Sequence, residues 1–452
     1  MTTTLIRRMW PLESGGLTSL ALMTSMLLPA ASVQAQVPAR PTFSKDVAPI
    51  FRDKCETCHR PDSIAPMPLQ TFQESRPWAR SIKAKVEARQ MPPWHIDKTI
   101  GIQDFKNDRS LSDEQIATIV RWVDLGAPQG DPKDMPRSRQ WPTEQGWNYA
   151  EQFGQKEPDL IIRSLPWSQK AGANDTWWKP VVETGVTEPR WVRAIEVRPS
   201  TVKGRKITHH ANVDLDQVEP GAQGITTGRF MEWAVGKDGE MMRENSGKLL
   251  LPGSRIAWDI HYSQAGEDIT DVAEMGIYFY PKGVVPKYRQ SLLRMGNIGN
   301  GAIDIPPNVV KATQSFFVMN QAGRIESFQP HMHLRGKAMS LEVVLPTGQS
   351  QVISHVDNFT FNWHNAYVYA DHAAPLVPKG TVIKITAWHD NTAANKANPD
   401  SNVWVGYGDR TVDEMGHAWV NVTYLSDDDY LLEVAARQTE LARRSQQQQQ
   451  QQ

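Results

Sequence analysis

From Asp159 onward, apolar and polar residues alternate over short stretches separated by Gly, Pro, Asn and Asp. The pattern is clearest over Trp191 to Val197, Arg255 to Tyr262, Met275 to Tyr280, Gly323 to Phe328, Ser340 to Leu345, Thr381 to Trp388 and Trp419 to Tyr424. A period of two sends successive side chains to opposite faces, so each stretch reads as a strand with one buried face. Many short strands with frequent turns predict antiparallel, jelly-roll-like sandwiches. The stretch is too long for one sandwich. It divides near residue 300, into a first sandwich over 159–300 and a second over 301–430.

The pattern before this region is helical. A small all-α unit is predicted over 41–130, with a short helix from Ser44 through Arg52. Ser112-Asp113-Glu114-Gln115 has the form of a capping box, and Ile116, Ile119, Val120 and Val123 follow at helical spacing. Gly126 and Pro128 stop that helix. Residues 131–158 are polar, carry Pro132, Pro136 and Pro142, and read as a linker. Residues 431–452 read as a charged helix running into seven glutamines from Gln446, a low-complexity end expected to be disordered.

The first residues have the form of a secretory signal. Arg7 and Arg8 precede an apolar stretch from Leu17 to Ala31, and Val33-Gln34-Ala35 offers a cleavage site, so 1–35 is read as a signal peptide cut after Ala35. An uncleaved anchor is the lesser alternative, because the run is diluted by Thr and Ser and is shorter than a spanning helix needs. The expectation is a periplasmic protein without a membrane span in its mature form. A formal net charge of −1 gives no argument for nucleic acid or an anionic membrane.

Cys55 and Cys58 are the chain's two cysteines, and both lie in Cys55-Glu56-Thr57-Cys58-His59. C-x-x-C-H is the attachment sequence for c-type haem, with the histidine as proximal iron ligand. The alternative is a redox dithiol, which would call for a βαβ setting that this sequence lacks. One covalent haem c is therefore expected, making 41–130 a cytochrome c domain. Met91, in Gln90-Met91-Pro92-Pro93-Trp94, is the choice for the distal ligand. Its thioether would raise the potential, and the competitors are Met67 and His95.

The strand-rich region carries further metal-ligand side chains: His209-His210, His261, the pair His331 and His333, and Met415. His331 and His333 share a strand face at i and i+2. Ile256, Trp258, Ile260 and Tyr262 form one face of their strand, leaving His261 on the other. His209 and His210 would splay apart on a regular strand, so a shared ion would require a bend or different ring nitrogens. Three histidines could equally hold zinc. Met415 could be core, and His417 would share its face and could rival it. His355, His364, His372 and His389 have no ligand spacing and are assigned no role. Imidazole with thioether favours copper, because soft sulfur stabilises Cu(I).

Taken together, these residues resemble the copper type II, ascorbate-dependent monooxygenases of the peptidylglycine and dopamine β-hydroxylating family. The resemblance covers about Trp191 to Tyr424. It rests on the His-His pair, His261-Tyr262, the His-x-His and the late Met415. The Asp390–Asp400 stretch and the ending Gly408-Asp409 to Met415 look like the bacterial branch with a fused N-terminal cytochrome c. The resemblance implies two coppers per chain: an electron-transfer copper on His209, His210 and His261, and a catalytic, oxygen-binding copper on His331, His333 and Met415. It places them across an open cleft and implies hydroxylation of a substrate C–H with O2. Two departures stand out. The sandwiches lack cysteines. Gln329 replaces the arginine that precedes the His-x-His in the peptidylglycine enzymes, which argues against a glycine-extended peptide substrate. Arg335 is either an anion contact or a surface arginine.

The expected protein is an exported copper-dependent monooxygenase fed with electrons by haem c. Its partners would be O2, a small-molecule or peptide substrate, and a small reductant or redox protein. The alternative is a non-enzymatic periplasmic copper-binding or electron-transfer protein.

Overall fold

The structure is a computed structural model describing residues 37–450 apart from 62, 64, 140–145, 238 and 300, and excluding the side chains of 448–450. The signal segment expected over 1–35 lies outside the described residues. All seven expected strands are present, as Arg190–Pro199, Arg255–Tyr262, Ala273–Phe279, Ala322–Met332, Gly336–Val344, Val382–Asp390 and Gly416–Leu425. They build two sandwiches.

In the first, Arg255–Tyr262 pairs with Thr208–Gln217, which pairs with Thr226–Ala234. Opposite them lie Leu160–Arg163, Ala273–Phe279, Arg190–Pro199 and Ser246–Leu250. Ile256, Trp258, Ile260 and Tyr262 face this core, as alternation requires. In the second, Tyr288–Asn297, Gly416–Leu425, Ala322–Met332 and Tyr367–Val368 face a five-stranded sheet ending in Val310–Val318. Met332, Ala418, Val420 and Val422 fill the space between.

The division at residue 300 needs correction. Tyr288–Asn297 pairs from Gln290 to Asn297 with Gly416–Leu425, so it belongs to the second sandwich. The halves are not separate layers either. Ser246 and Gly247 pair in parallel with Tyr288 and Arg289, which fuses one sheet of each sandwich into a single ten-stranded sheet.

The N-terminal unit consists of Phe43–Val47, Ala48–Lys54, Phe72–Ser75, Ala79–Glu87 and Asp113–Asp124. Phe43, Phe51, Ile119 and Trp122 form its centre. The Ser112–Gln115 capping box is formed in both directions. The unit is not contiguous over 41–130: Ile96–Gly101 is an edge strand against Ser350–Val356, and Trp94 and Ile96 lie in the second sandwich's core. Nor is 131–158 a free linker. Trp147 and Ala150 pack with Ala194 and Tyr278, and the Glu196 carboxylate accepts the backbone N–H groups of Asn148 and Tyr149 at 2.7 Å each. The described part of the glutamine run, Gln446 to Gln450, expected to be disordered, continues the helix Asp427–Gln450. That helix is tied down by Arg324–Glu433 at 2.7 Å and by Arg437 donating to the Ala374 carbonyl at 2.6 Å. No helix among the described residues is long and apolar enough to cross a membrane.

Candidate metal centre

The pair His209-His210 solves its splaying problem with a bulge. His210 stands opposite His261, but the next pairing joins Tyr262 to Thr208, so His209 is an extra residue in the strand. A bulge re-aims a side chain, and the Nδ1 atoms of His209 and His210 converge to 3.1 Å. One nitrogen from each of His209, His210 and His261 lies within 4.8 Å of the others. Two ligands of one tetrahedral ion with bonds near 2 Å are separated by roughly 3.3 Å, so the spacing suits a shared ion.

The tautomer of His261 follows from its neighbour. Asp175 lies 3.0 Å from Nε2, and an ionised carboxylate can only accept. Nε2 therefore carries the proton, and Nδ1, buried with no hydrogen-bond partner among the described residues, presents its lone pair. Trp177 stacks on the ring at 4.5 Å and fixes its plane. The same Asp175 oxygen accepts from the Thr411 hydroxyl at 3.1 Å, on the loop leading to Met415.

On the second sandwich His331 stands directly opposite His417, and their rings stack at 4.5 Å. His333 follows the strand end. Its Nδ1 lies 3.1 Å from the Asp413 carbonyl, which fixes the proton there and leaves Nε2 free for an ion. Glu414, fully buried, accepts the backbone N–H groups of His333 and Arg335. Met332 pairs with Gly416, the last pairing of these strands, and His333 and Met415 are the residues just beyond it. Met415 is nearly buried, and its sulfur lies 3.9 Å from Arg294 Nη2.

Rings meet across the sandwiches: His210 and His331 with centroids 5.8 Å apart, and His209 stacked on Phe361 at 4.7 Å. This corrects the expected open cleft. The sandwiches are closed on each other here by buried polar contacts. Gln329 donates to Glu232 at 2.6 Å and accepts from Lys237 at 3.2 Å, which also explains its place in the sequence. Arg335 is neither an anion contact nor a surface residue. It is 1% exposed, and it donates to Asn391, Val412 and Asp400 at 2.8, 2.9 and 3.3 Å.

Sequence spacing missed His364. It reaches the cluster on a loop, with its ring 4.7 Å from His331 and 5.5 Å from His209. Its distance in sequence from the other histidines of the cluster left no signal except that it is a histidine. Burial lowers the pKa of His210, His331, His364 and His417 well below the imidazole range and brings His209 to about 4, so these rings are neutral, as metal ligands must be.

In the N-terminal unit, Cys55 and Cys58 lie at the end of Ala48–Lys54, and His59 Nδ1 donates to the Met67 carbonyl at 3.0 Å, leaving Nε2 free. Met67 is thus engaged through its backbone on the His59 side. His95 is buried beside the second sandwich, with its backbone N–H bonded to the Tyr367 hydroxyl. Met91 is half-buried on the loop between them, its N–H directed to the Lys85 carbonyl. A cavity of about 530 Å³ opens beside Cys58, with Arg109, Arg198, Trp233, Val235 and Lys237 on its other walls. Val235 donates its N–H to the His209 carbonyl, so one wall of this cavity backs directly onto the triad.

No protein-family model matches the chain, and no curated protein does. Among solved structures it is similar in part to allantoicase from Saccharomyces cerevisiae (10% identity, 57% of this chain and 81% of that one, TM-score 0.18). Another allantoicase structure (10%, 61% and 87%, TM-score 0.18) and that of infectious bursal disease virus Gx strain (9%, 59% and 72%, TM-score 0.17) are alike to the same degree. Likenesses this slight bear on neither fold nor function.

Proposed function

We propose that this chain is an exported copper-dependent monooxygenase whose electrons arrive through a covalent haem c. The observation that carries the reading is the convergence of His209, His210 and His261 beside His331 and His333, with burial lowering the pKa of His209, His210, His331 and His333. The residues fit copper. His261 and His331 have buried nitrogens without partners among the described residues, and Met415 would add the soft donor that favours Cu(I) over zinc. When bound, the pair of coppers would supply O2 activation and C–H hydroxylation. His209, His210 and His261 would receive electrons, while His331, His333 and Met415 would hold the oxygen-binding ion. Asp175 and the Asp413 carbonyl fix which nitrogen of His261 and His333 is offered.

The residues also fit haem at Cys55, Cys58 and His59, with Met91 as distal ligand in a cytochrome c domain. A redox dithiol needs a lowered thiol pKa. Here burial, with Cys58 adding, pushes the Cys55 thiol up to about 12, the opposite of what that alternative requires. Haem held at Cys58 would border the cavity that backs onto His209, a short route for single electrons.

The tight burial of the rings favours a second reading, a copper protein that only stores or passes electrons. The test is to load the chain, count metals, and follow O2 uptake with a reductant. The monooxygenase reading expects two coppers, one haem, and hydroxylated product matching the O2 consumed. Met415→Ala is expected to abolish product while copper persists at the three-histidine site. Two coppers without substrate-coupled O2 uptake would establish the carrier instead.

A further inference from the structure

The strand pairing beneath the second site stops one residue short of two of its ligands. Gly416 is the last residue of its strand to pair, with Met332 on one side and Asn297 on the other. His333 and Met415 lie just beyond that end. Backbone pairing therefore does not set how this imidazole meets this thioether.

Glu414 takes over where the ladder ends. Its carboxylate is fully buried, and each oxygen accepts a different backbone N–H: Oε2 that of His333 at 3.0 Å, Oε1 that of Arg335 at 2.6 Å. The residue is itself held by its backbone. Its N–H donates to the Gly406 carbonyl at 3.0 Å, and its carbonyl accepts from the Gly408 N–H at 3.2 Å. Two more bonds join the same segments. The Asp413 carbonyl accepts from His333 Nδ1 at 3.1 Å, and the Val412 carbonyl from Arg335 Nη1 at 2.9 Å. Behind the carboxylate, the buried His389 ring lies 3.5 Å from the oxygen that serves His333. That gives His389 a backing place and not a ligand's. Glu414 is thus bonded covalently to Met415 and by hydrogen bond to the backbone of His333.

We infer that Glu414 is the positioning residue of the second copper site: its carboxylate sets where the His333 imidazole stands relative to the Met415 sulfur. It touches no reacting atom. The inference rests on the copper reading above for the identity of the ion, while the two hydrogen bonds that carry it are present without metal. Glutamine is the informative replacement. It keeps the shape, but only one of its two ends accepts, and the other turns an NH2 toward a backbone N–H. Either His333 or Arg335 then loses its acceptor, and the end of the strand is released. Loss of a partner that orients a metal ligand costs roughly 10–100-fold in metal affinity.

The experiment has two parts, both on the full haem-containing chain. In the wild type before copper is added, the His333 and Arg335 amides should resist hydrogen exchange although they lie past the last ladder pair. Rapid exchange at both would overturn the clamp, whether or not any variant folds. The chain is then loaded with Cu(I), and X-ray absorption and the infrared band of added CO report on the second site. Glu414→Gln, with folding checked by circular dichroism, should weaken copper there by roughly 10–100-fold. It should also remove the sulfur contribution with Met415 still present, and leave the three-histidine copper as in wild type. A variant that only melts at a lower temperature, with sulfur still on its copper, would overturn the positioning role and leave the copper reading standing. A wild type with both amides protected but no sulfur on its copper would instead remove Met415 from the copper reading, and with it the role of Glu414.

Discussion

At the scale of single residues, the cluster makes the metal-free protein sensitive to acid. Burial lowers the pKa of His209, His210, His331, His333, His364 and His417, and for His209 and His210 the nearby His261 adds to it. An unfolded histidine titrates near 6.5 and folded His209 near 4. Between these values the unfolded chain holds the extra proton. The stability is therefore fully present above pH 6.5 and is lost as pH falls toward 4, about 3 kcal/mol for His209 alone. Asp271 acts oppositely. Burial raises it to about 6, so its contribution is lost as pH rises through 6. Burial also raises Asp214 and Glu232, and three carboxyls do not offset six rings. The urea midpoint of the metal-free protein should fall steeply from pH 6.5 to 4.5, with more than one proton taken up on unfolding; a flat midpoint would contradict the burial of the cluster. His331 and His333 were legible because a strand's period of two is written in sequence. His364 was not, because its contacts come from tertiary packing and leave no periodic trace.

At the scale of elements, alternation identified seven strands but not the equally long Thr208–Gln217, Thr226–Ala234, Tyr288–Asn297 and Val310–Val318, and the Ser112–Gln115 box marked its helix start; these signals are local. Pairing partners are not local. Nothing in Ile96–Gly101 announces that it leaves the helical unit to edge the second sandwich, and nothing in Ser246–Leu250 announces a parallel partner 42 residues on, at Tyr288. The strand Tyr288–Asn297 shows how such a pairing reaches the metal centre. Gly296 stands opposite His417, and a Cβ there would fall 2.3 Å from the His417 Cα and 2.5 Å from the Gly416 carbonyl oxygen. Both are backbone atoms and cannot swing aside. Gly296→Ala should therefore push Gly416–Leu425 away at the end that carries Met415 and His417. The expected cost is about 2 kcal/mol of stability, together with weakened copper at the second site and an intact three-histidine site. Denaturant unfolding and metal-specific spectra would check both, and an undisturbed second site would show that this strand end does not set the ligand geometry.

At the scale of the whole molecule, the sandwiches are joined twice, by the continuous sheet and by a buried ionic knot that the one-dimensional pattern could not reveal. Lys237 donates to the Glu232 carbonyl at 2.6 Å, to Glu240 at 3.0 Å and to Gln329 at 3.2 Å, while Lys248 holds the other Glu240 oxygen at 2.8 Å. Burial opposes ionisation of Glu240, yet Lys237 and Lys248 hold its carboxyl at about 2. The knot thus sets Lys237 and Lys248 against Glu240 and against Glu232, whose carboxyl burial raises, with Gln329 tying it to the strand of His331 and Lys237 also lining the cavity beside Cys58. Removing one member leaves a buried charge uncompensated, at roughly 3–5 kcal/mol. Lys237→Met should cost that much and loosen the approach of His210 to His331. Adding Glu232→Gln removes the stranded anion and leaves Lys248 and Glu240 as a neutral pair, so the double variant should be less destabilised than the sum of the single ones. Denaturant unfolding followed by tryptophan fluorescence measures all three. Additive losses would mean that Lys237 and Glu232 do not act on each other. Coupled losses with one shared transition would mean that the sandwiches fold, and hold their histidines together, as one unit.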